Sequence, residues 1–212
     1  MLVDMMEDNR EQGINSNEGA TSGRPSGRSQ RTHRAVMAAA GELLTEKGYA
    51  SVTIEGIAAR ASVAKTTIYR WWPTKAAIFM ELYNELAAEM LTALDTGSVE
   101  QDLRNLLRRL FQLFTTTSAG PAMVGMIAEA QSNPEVANTF QKQFMVRRRN
   151  VTREILKRGV ERGELQAELD IDLAIDVVSG PIWYRLLQGH APLDDHFADS
   201  LVHQILLGIW AK

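Results

Sequence analysis

Lys65, Thr66, Tyr69 and Arg70 fall one, four and five positions apart, a spacing that gathers two cations, a hydroxyl and an aromatic ring on one side of a short helix. Such a face carries the donors that base edges and phosphates in a DNA major groove accept. The opposite side is apolar: Val63, Ile68 and Trp72 recur at helical spacing, and Ile54, Ile57 and Ala58 do the same just upstream. Two short helices can bury these sides together across a tight turn, with Pro73 starting a third, and a helix-turn-helix presents its second helix to DNA in this way.

Other chemistry finds little support in the residue types. The chain has no cysteine, which removes disulfide frameworks, Cys-ligated zinc and thiol nucleophiles. No Gly-rich phosphate loop follows a strand, and no HExxH or Ser/His/Asp order occurs, so the chain is not expected to be an enzyme or to need a cofactor. His196, Asp199 and His203 lie at spacings of three and four, and read as a polar stripe rather than a metal site. Arg147, Arg148 and Arg149 fan around more than half a helix and read as a solvated surface with intrahelical pairs, not a second nucleic-acid patch. Phe111, Phe114, Met123, Met126, Phe140, Phe144, Met145, Trp183 and Tyr184 suffice to line an apolar cavity, although such residues at helical spacing also build cores.

The elements that position these residues are all helical. Val36, Ala39, Ala40, Leu43 and Leu44 mark an amphipathic first helix over residues 31–47, stopped by Gly48. Thr53 caps the second helix, with Glu55 in its first turn. Thr74 and Lys75 open a fourth helix to about Leu94, a fifth runs from about Val99 to Phe114, and a sixth from about Pro121 to Gln131. Asn133 and Pro134 begin a long seventh helix that ends near Gly163. The eighth, about residues 171–188, is apolar on two sides: Ile171, Ile175, Val178, Ile182 and Leu186 form one stripe, Leu173, Val177 and Tyr184 another. Gly180-Pro181 is expected to kink it. The ninth, about Leu193 to Ala211, carries Phe197, Leu201, Ile205 and Ile209. A monomer covers only one side of the eighth helix, so a homodimer through the eighth and ninth helices is expected, with Ile182 and Leu201 at its seam.

Charge divides along the same line. Residues 31–75 hold seven cations against three anions, whereas residues 76–212 hold 13 cations and 18 anions. A basic head on an acidic body is the footprint of a chain that meets phosphate at one end only. Residues 1–30 are rich in Asn, Glu, Gly and Ser and are expected to be a disordered arm, either a minor-groove arm that uses Arg24, Arg28 and Arg31 or a solubilising tail. No apolar run approaches the ~18–20 residues of a membrane span, and no secretory signal opens the sequence, so a soluble cytoplasmic protein is expected.

The segment from Val63 to Lys75 resembles the DNA-binding head of the TetR family of bacterial one-component repressors, whose signature ends in a pattern like V-S-K-x-T-(I/L)-Y-x-x-(F/W)-P-(S/T/N)-K. This chain has Val63, Ala64, Lys65, Thr66, Thr67, Ile68, Tyr69, then Trp72, Pro73, Thr74 and Lys75, and the likeness runs from about Arg31 to Leu91. Where the family often has Gly in the turn and Ser or Thr as the cap, the chain has Ser62 and Ala64. The segment Gly180 to Leu187 with Pro192-Leu193-Asp194 resembles a C-terminal domain type common among actinobacterial TetR relatives.

The resemblance implies an all-α chain of about nine helices: an arm (1–30), a three-helix head (31–75, continuing into helix 4 to about 91) and a ligand-binding and dimerisation body (92–212). It implies contacts to operator DNA from Thr53, Lys65, Thr66, Thr67, Tyr69, Arg70, Trp71, Lys75 and Arg31, with Thr66 and Arg70 as base readers and Tyr69 and Lys75 on phosphates. An unknown small-molecule effector would sit among Phe111, Phe114, Met123, Met126, Phe144, Trp183, Tyr184 and Arg185, and would release the repressor from DNA. Two points stay open: Trp183 and Arg185 either line the pocket or serve the dimer seam and an acidic neighbour, and the chain is either a regulator or a helical small-molecule-binding protein or enzyme with a vestigial head.

Overall fold

The structure, a computed structural model, describes residues 27–92 and 94–209, and among them nine continuous helices account for the regular structure. Residues 1–26, which include Arg24 of the expected arm, and residues 210–212 at the end of the expected ninth helix lie outside the described residues. Helix α1 spans Gly27–Ser51, so Arg31 lies in its second turn. Gly48 interrupts it at φ 72°, a left-handed conformation that suits glycine.

Helix α2 (Ile54–Ala61) is capped by Thr53, whose hydroxyl accepts the Gly56 N–H at 3.1 Å, as the sequence indicates. Ser62 ends it at φ 52°, the only positive φ outside glycine among the described residues. Helix α3 (Lys65–Trp71) follows with Ala64 at its N-cap and no side-chain cap bond. Val36, Leu44, Ile57, Ile68 and Trp72 close a common core beneath these three helices.

Helix α4 (Lys75–Met90), capped by Thr74, buries Ile78, Phe79, Leu82 and Tyr83 and joins head to body. It stops short of Leu94 because the following segment is claimed by other partners: Arg158 donates to the Leu94 carbonyl, and the fully buried Asp102 accepts the Thr96 N–H at 2.9 Å and its hydroxyl at 2.7 Å. Helix α5 (Val99–Thr116) then runs through the body, against α4, helix α6 (Ala119–Ser132) and two later helices.

The long helix α7 is continuous through three stretches, Pro134–Thr139, a π-helical turn Phe140–Met145, and Val146–Glu161. Asn133 caps it and Pro134 takes the first turn, where a missing N–H costs nothing. The wide turn was not evident from sequence. It brings Phe144 edge-on to Tyr83 at 4.7 Å and Arg148 over the same ring at 5.8 Å.

Helix α8 (Ile171–Gln188) continues through Pro181 without interruption, although the Val177 carbonyl loses its helical donor there. Ala174, Ile175, Val178 and Ile182 face the core, while Leu173 (59% exposed), Val177 (48%), Tyr184 (62%) and Leu187 form an uncovered stripe. Helix α9 (Asp195–Ile209) packs Phe197, Leu201 and Ile205 against the body. Ile182 and Leu201 therefore belong to the core of one chain rather than to a seam between two. The two-sided character of α8 holds, but its free side is the other stripe.

Candidate functional site

Helix α3 is anchored by Ile68, fully buried, and by Trp72, which ends it; with these two fixed, Lys65, Thr66, Tyr69 and Arg70 face outward and Thr67 is half-buried. Lys65 forms an ion pair with Glu55 across the turn, which raises the pKa of the ammonium and lowers that of the carboxyl, and it lies 5.5 Å from the Tyr69 ring. Both partners are water-exposed, so the pair holds Lys65 only weakly. Arg70 packs on the Trp71 ring at 5.9 Å and has no carboxylate partner among the described residues. Thr53 and Arg31 are exposed as well.

Trp71 and Lys75 depart from the expected outward roles. Trp71 is half-buried and edge-on to Trp72 at 5.4 Å. The Lys75 ammonium is drawn inward: it donates to the Tyr49 carbonyl at 3.0 Å, lies 4.2 Å from the Tyr49 ring and 4.0 Å from Glu129 of α6. Tyr49 in turn donates its hydroxyl to Glu129 at 2.7 Å, and burial together with that carboxylate pushes its pKa above the usual range. Head and body are thus joined through Tyr49, Lys75 and Glu129, a connection between residues 80 positions apart that no local pattern signals.

Behind the α3 face, Arg60 ties α2 to Glu42 and Glu46 of α1 at 3.1 and 2.8 Å. His33 of α1 lies between Glu81 and Glu85 of α4, at 2.7 and 3.5 Å, and Trp72 donates its indole N–H to Glu81. Among the described residues these three groups alone have the spacing of a metal cluster, and each imidazole nitrogen faces a different carboxylate.

A second site lies in the body. Helices α5, α7 and α8 enclose a cavity of about 330 Å³, walled by Leu106, Leu107, Leu110, Phe114, Met145, Val178, Ile182 and Trp183, with Arg148, Arg149, Thr152, Asp176 and Ser179 as its polar groups. The volume falls at the small end of ligand pockets. Of the residues expected to meet an effector, Phe114 and Trp183 line it, 6.2 Å apart between rings. Phe111, Met123, Met126 and Phe144 are instead buried core residues away from its wall: Phe111 of α5 stacks on Phe197 of α9, and Phe144 of α7 lies against Tyr83 of α4. Tyr184 is on the exposed stripe of α8, against His190. Arg185 is not the polar anchor: its guanidinium stacks 3.5 Å from the Phe197 ring and donates to the Pro192 carbonyl at 2.7 Å. Trp183 thus lines the cavity, while among the described residues Arg185 pairs with no acid.

The arginine run of α7 also differs from the expected solvated surface. Arg149 reaches α8, bonding Asp172 at 2.9 Å and Asp176, and Arg153 shares Asp172 at 2.6 Å, which holds the Asp172 carboxyl well below its ordinary pKa. Arg148 turns inward to the cavity wall, where burial lowers the pKa of its guanidinium. Sequence reasoning missed it, although a signal exists. Phe140, Phe144, Arg148 and Thr152 recur every four residues along α7, and Phe140, Phe144 and Thr152 are buried. Asp199, set aside with His196 and His203, is engaged by Arg104 and Arg108 of α5 at 2.8 Å each, and both histidines are exposed.

Comparison with known proteins bears on both sites. Residues 36–82 match the family profile described as bacterial regulatory proteins, tetR family, and residues 93–205 match the profile described as tetracyclin repressor-like, C-terminal domain. The uncharacterized HTH-type transcriptional regulator YdeS of Bacillus subtilis is 38% identical over 89% of this chain and 94% of its own. A DNA-binding transcriptional repressor TetR of Mycobacteroides abscessus is 29% identical over 82% of this chain and 90% of its own. The crystal structure of the TetR family transcription regulator SCO0332 superposes with a TM-score of 0.72 at 32% identity, covering 84% of this chain and 98% of that one.

Proposed function

Because the chain belongs to the TetR family and is a helix-turn-helix transcriptional regulator rather than an enzyme, we propose that it acts as a homodimeric repressor whose α3 reads operator DNA and whose body cavity admits the effector that releases it. Thr66 and Arg70 read bases, while Lys65, Thr67, Tyr69, Thr53 and Arg31 contact the backbone. The observation that carries this assignment is the outward face of α3, where Arg70 has no internal carboxylate to satisfy it and a bidentate donor suits a guanine edge. Trp71 supports α3 from behind, and Lys75 contributes through the head–body junction.

Two copies pair through the uncovered stripe of α8 and the outer side of α9, where Leu207 is 67% exposed beside His203. An apolar stripe of this length on a helix next to another exposed helix fits a two-fold four-helix contact. The effector shifts the population toward a conformer whose two α3 helices no longer match successive major grooves, which requires tighter binding to that conformer.

Footprinting on duplex DNA flanking the protein's own gene, followed by Arg70→Ala, tests the reading. The variant is expected to lose roughly 1–3 kcal/mol at one base pair of the site. Equal losses on cognate and random duplexes would remove base reading from Arg70. Val177→Glu with Tyr184→Glu should yield monomers in sedimentation with folded heads, and a dimer that survives both changes would place the seam elsewhere.

A further inference from the structure

The cavity wall carries one charge that the protein does not answer. Arg149, Arg153, Asp172 and Asp176 neutralise one another between α7 and α8. Arg148 lies one residue from this network and shares none of it: among the described residues its side chain makes no hydrogen bond and no ion pair, and it lies over the Tyr83 ring at 5.8 Å. A partly buried guanidinium without a counter-ion is costly, and the surroundings repeat the deficit, since the hydroxyl of the fully buried Tyr83 also has no hydrogen-bond partner. The remaining wall joins aliphatic and aromatic side chains to Thr152, Ser179 and the already paired Arg149 and Asp176.

We propose that the cavity binds a small amphiphilic monocarboxylate, its anionic head on the Arg148 guanidinium and its apolar part among Leu106, Leu110, Phe114 and Trp183. This rests on the reading of the cavity as the effector site and names the class of effector. The single unanswered positive charge matches one negative charge; Asp176, also in the wall, repels a dianion such as a phosphate monoester. A carboxylate meets the planar guanidinium through two parallel bonds, a geometry that an alcohol cannot supply. At roughly 30 Å³ for each displaced water, the space equals about eleven waters, which sets the ligand at about a dozen non-hydrogen atoms.

The same residue links the cavity to the head. Tyr83 lies on α4, the helix that begins at Lys75 beside the head–body junction, so a carboxylate on Arg148 competes with its contact to the Tyr83 ring. The effector thus acts on the helix that carries the DNA-binding face.

The test uses the full-length protein and two matched pairs of probes, octanoate with 1-octanol and 4-phenylbutyrate with 4-phenyl-1-butanol, titrated calorimetrically. In the wild type each carboxylate should bind about ten-fold tighter than its alcohol, the scale of one charge-assisted pair. In Arg148→Met the preference should vanish while the alcohols bind as before, and Arg148→Lys should restore part of it. Equal binding within either pair, no binding of any probe at millimolar concentration, or a preference that survives Arg148→Met would overturn the proposal. The wild-type ratio decides alone if Arg148→Met does not fold. Operator release is measured separately. A carboxylate that binds through Arg148 without freeing DNA supports the site and defeats the effector role, whereas release by a ligand that ignores Arg148 keeps the effector role and overturns this inference.

Discussion

Head and body treat their cations differently. In the head, Arg70 has no carboxylate partner among the described residues and Lys65 is tied only to Glu55 at the water-exposed surface. In the body, Arg104 and Arg108 share Asp199, Arg149 and Arg153 share Asp172, and Arg158 and Arg162 hold Asp95, Asp102 and Glu164. Acidic groups of residues 76–212 thus cross-link helices, while in residues 31–75 Arg60 and Lys75 are held internally and Arg31 and Arg70, without a carboxylate partner among the described residues, are left to an outside polyanion. Net charge alone conceals this. A cation informs about function when the fold leaves it unanswered, and by that measure Arg148 resembles the head more than its neighbours in α7.

The largest effect is expected at Asp102, the one fully buried carboxylate of these networks, which caps Thr96 and lies 3.5 Å from Arg158. Asp102→Ala leaves a partly buried arginine and the Thr96 N–H unanswered, and should cost about 3–5 kcal/mol in urea unfolding at fixed protein concentration. Asp102→Asn should cost less, since an amide oxygen still accepts from Thr96. Glu55→Ala, which removes the exposed partner of Lys65, should leave stability nearly unchanged. A similar small loss for both would show that body pairs are no more structural than those of the head.

The junction between the regions is next. A Cβ on Gly125 of α6 would lie 2.1 Å from the Tyr49 ring, so Gly125→Ala must displace that ring and with it the bond to Glu129 and the seat of Lys75. Overpacking of this kind costs about 1–3 kcal/mol. The more telling readout is operator binding, which should weaken although Gly125 lies far from α3 in sequence. Unchanged operator affinity in a folded Gly125→Ala dimer would mean that head orientation does not pass through this contact.

What the sequence disclosed follows the range of the interactions involved. The α3 face was legible because one contiguous segment supplies both its buried anchors, Ile68 and Trp72, and its exposed side chains. Helix α8 was bounded correctly over 171–188 and its two apolar stripes are real, since periodicity within one helix determines both. Which stripe faces the core is settled by α7, α9 and α6, on which α8 packs, so the expected seam positions Ile182 and Leu201 lie on the inner side instead. The cavity is legible only at Phe114, Met145 and Trp183, because its wall is assembled from three helices. Arg148 was read with Arg147 and Arg149 as a run of charge, although spacing from Phe140 and Phe144 distinguishes it, and the π-helical turn that seats it over Tyr83 leaves no mark in residue type. Lys75 was assigned outward from the motif alone, and its actual partners, Tyr49 and Glu129, are distant in sequence.

The smallest expected effects lie in the turn before α3, where the head is suboptimal as a folding unit. Ser62 holds φ 52°, a conformation that costs a residue with a Cβ about 1–2 kcal/mol. Glycine relieves that strain but enlarges the unfolded ensemble, so Ser62→Gly should stabilise by about 0.5–1 kcal/mol net. Ala64 at the N-cap of α3 is already extended, at φ −63° and ψ 134°, and Ser there could accept a first-turn N–H. The gain from Ala64→Ser belongs near the low end of the capping range, about 0.5 kcal/mol, because the Thr67 N–H is already bonded to the Ala64 carbonyl at 2.9 Å. Thermal unfolding of each variant, and amide exchange at Thr66 and Thr67, would measure these gains. Faster exchange at those amides in Ala64→Ser would mean that the serine disturbs the turn instead of capping it, and the start of α3 would then be fixed by its carbonyl bond alone.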